Sequence, residues 1–365
     1  MKRLMATLVL GLVAPCLAFG QTYSQAPDSA SFPGARHKLM QQQRASMNSR
    51  IKNPLAGQKK VQACEPGPVQ GFYDIPGGWS EGIAVAHNGD IYTADLMTNN
   101  VYRITPKGEA SLFTNLYSGT NYDPNNPFWY FDGPKGLGFS GEGDLWVCNP
   151  NPNSKDLTKH GLWKVNRHGR CKLAVPLDPD EVPFPNGLTF DPRGNLYFTE
   201  SWNGGVWKVE RGQSVATIWS AHNLLAPAPG GFGANGIVYK EGSIFVANSD
   251  QVTLVKIPMN HDGSAGTPAI FAAGFGWPDG LTMGPSGDLY AIGGWDDWQL
   301  IRFADDGTWE IAVPNGMTGT ASLEFGKTHG DKNTVYMSNF GSSWDGLPSL
   351  LKVELCKPSH EKRTD

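Results

Sequence analysis

A segment of about 16 residues occurs six times along the chain, and this repeat constrains the fold more than any other feature. Each copy has a polar residue and a glycine, a short apolar run, a turn with glycine, and a second apolar run. The copies are SEGIAVAHNGDIYTAD, PKGLGFSGEGDLWVCN, PNGLTFDPRGNLYFTES, ANGIVYKEGSIFVANS, PDGLTMGPSGDLYAIGG and ASLEFGKTHGDKNTVYMSN. The first five copies share a glycine, at Gly82, Gly136, Gly187, Gly236 and Gly280. The sixth copy has Ser322-Leu323 where the others have a polar residue and this glycine.

Further apolar runs follow each copy, so most units contain four short strands. The third strands are NNVYRIT, HGLWKVN, GGVWKVE, QVTLVKI, WQLIRFA and PSLLKVE, and the fourth are ASLFTNL, CKLAVPL, SVATIWS, AIFAAGF and WEIAVPN. Alternating runs separated by turn residues predict antiparallel meanders, and no stretch between them has a helical period. Four strands repeated in six units predict an all-β fold, a six-bladed β-propeller of four-stranded antiparallel blades.

The sixth unit lacks a fourth strand, and residues 68–75 (PVQGFYDI) are the simplest source of it. The ring would then close by pairing of the N- and C-terminal strands. Cys64 precedes the first of these strands and Cys356 ends the other, so we predict a Cys64–Cys356 disulfide at the closure. We do not expect Cys148 and Cys171 to pair, because a strand lies between them.

The N-terminal segment has the pattern of an export signal, and it sets the domain boundaries. Residues 1–20 are the predicted signal peptide, 21–65 a polar disordered leader, 66–357 the propeller and 358–365 a polar tail. The mature protein is therefore expected to be secreted, extracellular or periplasmic. With a net charge of −4, nucleic acid and membrane are not expected partners. The expected partner is a small-molecule substrate, bound by a monomer.

The residues before the shared glycines should converge, because the first strand of each propeller blade lines the central channel. We call them the mouth positions: Glu81, Lys135, Asn186, Asn235, Asp279 and Ser322. Two carboxylates and two amides, from Glu81, Asn186, Asn235 and Asp279, form an oxygen-rich set that favours Ca²⁺, Mg²⁺ or Mn²⁺. The alternative is that Asn-Gly and Asp-Gly are ordinary turn dipeptides, which does not account for Glu81.

The repeats, with Glu, Asn, Asn and Asp in blades one, three, four and five, resemble the senescence-marker-protein/gluconolactonase family over residues 70–355. The resemblance implies lactone hydrolysis with Ca²⁺ or another divalent cation, such as Mg²⁺, Mn²⁺ or Zn²⁺, at the channel mouth. It assigns the acid/base role to Asp279. Since a carboxylate on a cation is a weak base, Asp279 must bind loosely or deprotonate a water that the cation has acidified.

Aromatic residues surround the predicted mouth. Sugar-lactonase relatives carry an arginine where this chain has Phe184. This departure, and the aromatic residues before the channel strands, predict a pocket for an apolar or aromatic lactone or ester, lined by Phe128, Trp129, Tyr130, Phe184, Phe232 and Trp277. Lys135 is a candidate substrate contact, a charge behind the ligands, or a cation that lessens the need for metal. Trp163 and Trp207, on third strands, should pack between blades.

Three functions follow from these features. The first is an exported, divalent-metal-dependent lactonase or esterase-like hydrolase. The second is a non-catalytic propeller of the type built from NHL repeats, which would need no oxygen-rich tetrad. The third is a propeller enzyme of secondary metabolism resembling strictosidine synthase or the propeller cyclases, in which pocket aromatics and one acid act. The one Gly-x-Ser-x-Gly match, GWSEG at residues 78–82, opens a predicted channel strand and is not followed by a helix, and there is no phosphate loop, so serine hydrolase and nucleotide chemistry are unsupported.

Overall fold

The computed structural model describes residues 66–76, 78–126, 128–294, 298–340 and 347–355, which form six four-stranded antiparallel sheets. In blades one to three the strands are β2 Ser80–Val85, β3 Ile91–Asp95, β4 Asn100–Ile104, β5 Ala110–Asn115, β6 Leu137–Phe139, β7 Leu145–Asn149, β8 Gly161–Val165, β9 Cys171–Pro176, β10 Pro185–Phe190, β11 Leu196–Glu200, β12 Gly205–Val209 and β13 Ala216–Ser220.

Blades four to six continue the pattern. Their strands are β14 Ala234–Lys240, β15 Ser243–Asn248, β16 Thr253–Pro258, β17 Ala269–Ala273, β18 Leu281–Met283, β19 Leu289–Gly293, β20 Trp298–Phe303, β21 Trp309–Met317, β22 Thr320–Phe325, β23 Thr334–Asn339 and β24 Leu350–Glu354, with β1 Gln70–Tyr73. The inner strands contact one another in blade order, from β2 through β6, β10, β14 and β18 to β22 and back to β2. The predicted six-bladed β-propeller is confirmed.

Burial explains the different strand compositions. The second strand of a blade is covered by a neighbouring blade on each face, so β3 and β11 are buried at every residue and carry β-branched and aromatic side chains. The outermost strands β5 and β13 are largely exposed or half-buried. Glycines with positive φ occupy the turns between the first two strands of blades one to five: Gly89, Gly143, Gly194, Gly242 and Gly287.

The ring closes between the two ends of the chain, as predicted. Strand β1 pairs antiparallel with β24, with Gln70 opposite Lys352 and Gly71 opposite Leu351. Apolar clusters fill the spaces between blades. Trp163 lies in the cluster between blades one and two, and Trp207 packs against the cluster between blades two and three, which confirms the predicted role of both side chains.

Several sequence-based predictions concern residues outside those described. They are the signal peptide, the leader, the tail and the Cys64–Cys356 disulfide. Cys148 is buried and free, so it forms no bond with Cys171, in agreement with the prediction. No helix in the described part of the chain is long and apolar enough to cross a membrane.

Candidate metal centre and aromatic mouth

The first strands of the six blades enclose a cavity of about 170 Å³ along the propeller axis. Five of the six mouth positions line it, contributed by blades one, three, four, five and six: Glu81, Asn186, Asn235, Asp279 and Ser322. The four residues of the predicted tetrad therefore line one cavity, although they lie as far apart in sequence as residues 81 and 279. The sixth mouth position, Lys135, does not line the cavity.

The shared glycines explain how the inner strands approach so closely. A Cβ added to Gly82 would lie 2.0 Å from the carbonyl oxygen of Lys135, and one on Gly136 would lie 2.3 Å from that of Asn186. Gly187 and Gly236 abut the carbonyls of Asn235 and Asp279 in the same way. Each glycine therefore leaves room for the mouth residue of the next blade, which no side chain would allow.

Serine hydroxyl groups near the ends of the second strands also link neighbouring blades around the channel. Ser201 Oγ donates to the carbonyl of Ala234, Ser249 Oγ donates to that of Pro278 at 2.6 Å, and Ser338 Oγ donates to that of Glu81. Each bond joins one blade to the mouth strand of the next.

In blade six the strand register places Ala321 at the mouth position and Ser322 at the position of the shared glycine, because Thr320 pairs with Asn339 as Ala234 pairs with Asn248. The predicted mouth position, Ser322, is therefore wrong by one residue, although Ser322 still lines the cavity. The Ser338 hydroxyl makes the junction to blade one.

The two asparagines form the centre of the tetrad. Asn186 Nδ2 donates to Asn235 Oδ1 at 2.9 Å and to Ser201 Oγ at 3.2 Å, and Asn235 Nδ2 donates to Ser249 Oγ. These donors fix both amide planes. Among the described residues, Oδ1 of Asn186 accepts no hydrogen bond, so an amide oxygen at the cavity wall retains its capacity to bind a ligand.

The tetrad fits a divalent cation by its donor chemistry. Asp279 is 4% exposed and is held by its backbone N–H, which donates to Ile292 at 2.9 Å. Asp279 lines the same cavity as Glu81, Asn186 and Asn235, and all four side chains carry oxygen. Within the described residues, no group of three or more His, Cys, Asp or Glu is placed to hold a metal. A cation here would therefore need the amide oxygens.

Lys135 faces away from the cavity, toward the segment before it. Its buried Nζ donates to the backbone carbonyls of Tyr130, Asp132 and Gly133 at 3.1, 3.4 and 3.2 Å, and lies 5.7 Å from the centre of the Phe184 ring. Burial lowers the pKa of Lys135 to about 8, although the charges of Glu81 and Asp132 oppose this shift. The predicted substrate contact is thus replaced, in this structure, by bonds within the protein.

The segment before Lys135, residues 128–133, is the centre of a large aromatic cluster, and we call it the aromatic loop. Its 3₁₀ turn, Trp129–Phe131, contacts aromatic side chains of four other blades. Trp129 packs on Trp79 of blade one, Tyr130 on Phe340 of blade six, and Phe131 on Phe184, Trp202 and Phe232 of blades three and four, with ring centres 5.1 to 5.9 Å apart. The loop therefore reaches around much of the mouth.

The predicted pocket residues differ in accessibility. Trp129 and Phe184 are buried, and Phe184 is stacked on Trp202 with a centre separation of 5.1 Å, so both support the cluster from inside. Phe128 is 46% exposed and stacks on Phe131. Tyr130, Phe232 and Trp277 are half-buried, and Trp277 meets Trp298 edge to face. Phe128 and these half-buried rings retain surface for a ligand.

Sequence reasoning missed several residues that build the mouth. Phe131, Trp202, Phe340 and Trp79 complete the aromatic cluster. Glu200, buried at the end of β11, accepts hydrogen bonds from the backbone N–H groups of Phe184, Trp202 and Asn203 and so fixes the Phe184 turn. The serine bonds had a usable signal, because FTES, VANS and YMSN all place a serine at the end of a second strand.

Comparisons with known proteins agree with this architecture. No protein-family model matches the chain. Strictosidine synthase-like 3 of Arabidopsis thaliana is 26% identical over 178 residues, which are 43% of this chain and 42% of that protein. The match thus spans less than half the length of this curated relative.

Two solved structures cover almost all of the propeller. A gluconolactonase of Xanthomonas campestris has a TM-score of 0.60 at 15% identity, over 80% of this chain and 95% of that one. The calcium-binding protein regucalcin of Agrobacterium tumefaciens has a TM-score of 0.58 at 14% identity, over 80% and 94%. These similarities confirm that the chain has the propeller fold of gluconolactonases and regucalcin, and at this identity they establish the fold alone.

Proposed function

We propose that this protein is a divalent-cation-dependent hydrolase of lactones or esters. The observation that carries the proposal is the convergence of Glu81, Asn186, Asn235 and Asp279 on one cavity at the propeller axis. A propeller that only binds a protein or glycan across its face has no need for two carboxylates and two fixed amides in its channel. The gluconolactonase fold of the chain supports the same activity.

The four side chains of the tetrad would hold the cation, and Ca²⁺ is the ion that their oxygen set favours. When bound, such a cation polarises a substrate carbonyl and stabilises the negative charge that develops on its oxygen. Asn186 and Asn235 are held by hydrogen bonds to hydroxyl groups, so their oxygens need little reorganisation to bind.

Asp279 is the proposed acid/base. Its carboxylate accepts a proton from the water whose oxygen attacks the carbonyl carbon, and it returns that proton to the leaving alkoxide as the C–O bond breaks. The backbone of Asp279 is fixed on both sides, by its own N–H to Ile292 and by the N–H of Gly236 to its carbonyl at 3.1 Å. This restraint fixes the point on the channel strand from which the carboxylate projects.

The aromatic mouth indicates the substrate class. Phe128, Tyr130, Phe232 and Trp277 offer apolar surface beside the tetrad, and Phe184 takes the place of an arginine that would bind a sugar acid. Apolar or aromatic lactones and esters are therefore the proposed substrates. The proposal includes export of a monomeric protein, as the N-terminal sequence pattern predicts.

The test is a screen of aryl esters and lactones with and without EDTA. We expect chelation to abolish hydrolysis and Ca²⁺ to restore it. Replacing Asp279 with Asn should lower kcat/KM by at least about 100-fold, because proton transfer is lost. Asp262→Asn is the matched control, since among the described residues the Asp262 carboxylate accepts hydrogen bonds from Ser264 in an exposed turn, and it should leave the rate unchanged. Hydrolysis that is insensitive to both EDTA and Asp279→Asn would refute the proposal.

A second candidate is a propeller enzyme of secondary metabolism that resembles strictosidine synthase. The match to strictosidine synthase-like 3 favours it. In this case the aromatic mouth and one acid act without a cation, so turnover in the same screen would persist in EDTA. Loss of activity on chelation would exclude this candidate.

A further inference from the structure

The mouth position of blade two differs from the other five in what its side chain does. Five of these side chains line the cavity, while Lys135 turns its ammonium group out of it. The backbone of Lys135 nevertheless follows the repeat, since its N–H donates to Cys148 at 2.8 Å and its carbonyl abuts Gly82. The exception therefore lies in the side chain and not in the strand.

The ammonium group has its three N–H bonds directed at three carbonyls of one short segment. Tyr130, Asp132 and Gly133 accept them, and all three belong to the aromatic loop. A charged donor strengthens each hydrogen bond relative to a neutral one. With every N–H engaged, Lys135 has no donor left for a substrate.

Hydrogen bonds to the segment after β7 hold the two ends of the loop. Asp132 accepts hydrogen bonds from the backbone of Asn153 and Ser154, and Asn153 Nδ2 donates to the carbonyl of Phe128. Between these anchors, Lys135 donates a hydrogen bond to the carbonyl of Tyr130, whose ring contacts Phe340 across the mouth. Lys135 thus fixes the part of the loop that carries the aromatic side chains.

The same charge acts on the candidate cation site. The backbone of Lys135 lies against Gly82, the residue that follows Glu81, so the two charged residues are close neighbours in adjacent blades. Glu81 and Asp132 both stabilise the ammonium form of Lys135. A positive charge behind one carboxylate ligand reduces the attraction of the tetrad for a divalent cation. Burial of the ammonium, 2% exposed, makes this interaction less screened than one at the surface.

We propose that Lys135 is a positioning residue whose ammonium group fastens the aromatic loop at the channel mouth and, by its charge, limits the affinity of the oxygen tetrad for a divalent cation. One side chain then couples the order of the substrate pocket to the strength of the cation site. The part of this inference that concerns cation affinity rests on the proposed function, whereas the part that concerns the loop does not.

The test compares the wild-type protein with Lys135→Met, which keeps an unbranched side chain one atom shorter than lysine and removes its charge. Hydrogen exchange in metal-free protein should show faster exchange of the amides of residues 129–131, with the rest of blade two unchanged. Calorimetric titration with Ca²⁺ should show binding stronger by on the order of tenfold, since a nearby like charge is gone. A lysine with a purely structural role would not strengthen Ca²⁺ binding when removed.

Lys135→Arg provides a second variant for the case in which Lys135→Met fails to fold. Because arginine keeps the positive charge, this variant should bind Ca²⁺ with wild-type affinity. Unchanged exchange of residues 129–131 in Lys135→Met, or loss of affinity for Ca²⁺ in that variant, would overturn the inference. If Lys135→Met does not fold, an altered Ca²⁺ affinity in Lys135→Arg with unchanged loop exchange would do the same. If the wild-type protein bound no Ca²⁺, the proposed function and the cation part of the inference would both be refuted. Hydrogen exchange of residues 129–131 would then still test whether Lys135 fastens the aromatic loop.

Discussion

Replacing Gly236 with alanine should damage both the stability of the propeller and its candidate cation site. The new Cβ would lie 2.4 Å from the carbonyl oxygen of Asp279 and 2.6 Å from the backbone nitrogen of Leu281. Both neighbours are backbone atoms of the adjacent blade, so they cannot rotate away as a flexible side chain would. The strands must separate, and the hydrogen bond from Gly236 N–H to Asp279 is then strained or lost.

The expected cost combines two effects. Overpacking of a closely packed site costs about 1–3 kcal/mol, and loss of a buried hydrogen bond adds about 1 kcal/mol, so unfolding should become easier by about 2–4 kcal/mol. For a domain of this size, such a change lowers Tm by roughly 5–10 °C. The carbonyl that moves belongs to Asp279, and Ca²⁺ affinity should therefore fall by at least about tenfold.

The assays are urea unfolding and Ca²⁺ calorimetry, with Gly141→Ala as the control. Gly141 lies in a turn of blade two, where an added Cβ meets no atom within 4 Å, and alanine there should be neutral or stabilising by up to about 1 kcal/mol. The reasoning would be refuted if Gly236→Ala had the same unfolding free energy and the same Ca²⁺ affinity as Gly141→Ala. The shared glycine would then not be required by its close approach to the next mouth residue.

Two further predictions concern other parts of the mouth and core. Ser249→Ala removes a buried hydroxyl that donates to Pro278 and accepts from Asn235, so unfolding should become easier by about 1–3 kcal/mol in urea titrations, with exposed Ser286→Ala unchanged. Burial raises the pKa of Asp95 from 3.8 to about 6. Between pH 3.8 and about pH 6 the folded protein therefore binds more protons than the unfolded chain, and the stability of the fold decreases as the pH rises through this range. Asp95→Asn should therefore reduce the loss of stability between about pH 4 and pH 7 by about 3 kcal/mol in urea titrations, and an unchanged pH profile would contradict the assignment.

The sequence predicted the blades and the tetrad because both follow from a repeat. Once the repeat defines the inner strand, the backbone before the shared glycine is placed beside the channel, whatever the intervening loops do, although the side chain of Lys135 turns away from it. Glu81 and Asp279 could be assigned to one cavity on this basis. The close approach of each glycine to the next blade was not foreseen, since a sequence does not show which backbone faces the missing side chain.

The aromatic mouth was predicted less well, for a physical reason. Its arrangement depends on the path of a loop that no repeat constrains. Phe131, which joins the rings of blades three and four, was therefore not distinguished from its neighbours, and the burial of Trp129 and Phe184 was not apparent. The side chain of Lys135 also escaped prediction, because the repeat fixes the direction of a strand but not which bonds a long side chain makes.

The most direct test of the account is calorimetric titration of Ca²⁺ into chelator-treated protein, with Glu81→Gln beside the wild type. The account predicts one site in the wild-type protein that weakens at least about tenfold in the variant, because one of two charged ligands becomes neutral. Glu142→Gln is the control, since Glu142 is exposed and paired with Arg211 on the surface, and it should bind as the wild type does. Absence of binding, or binding equal in Glu81→Gln and the wild type, would contradict the assignment of the channel as a cation site.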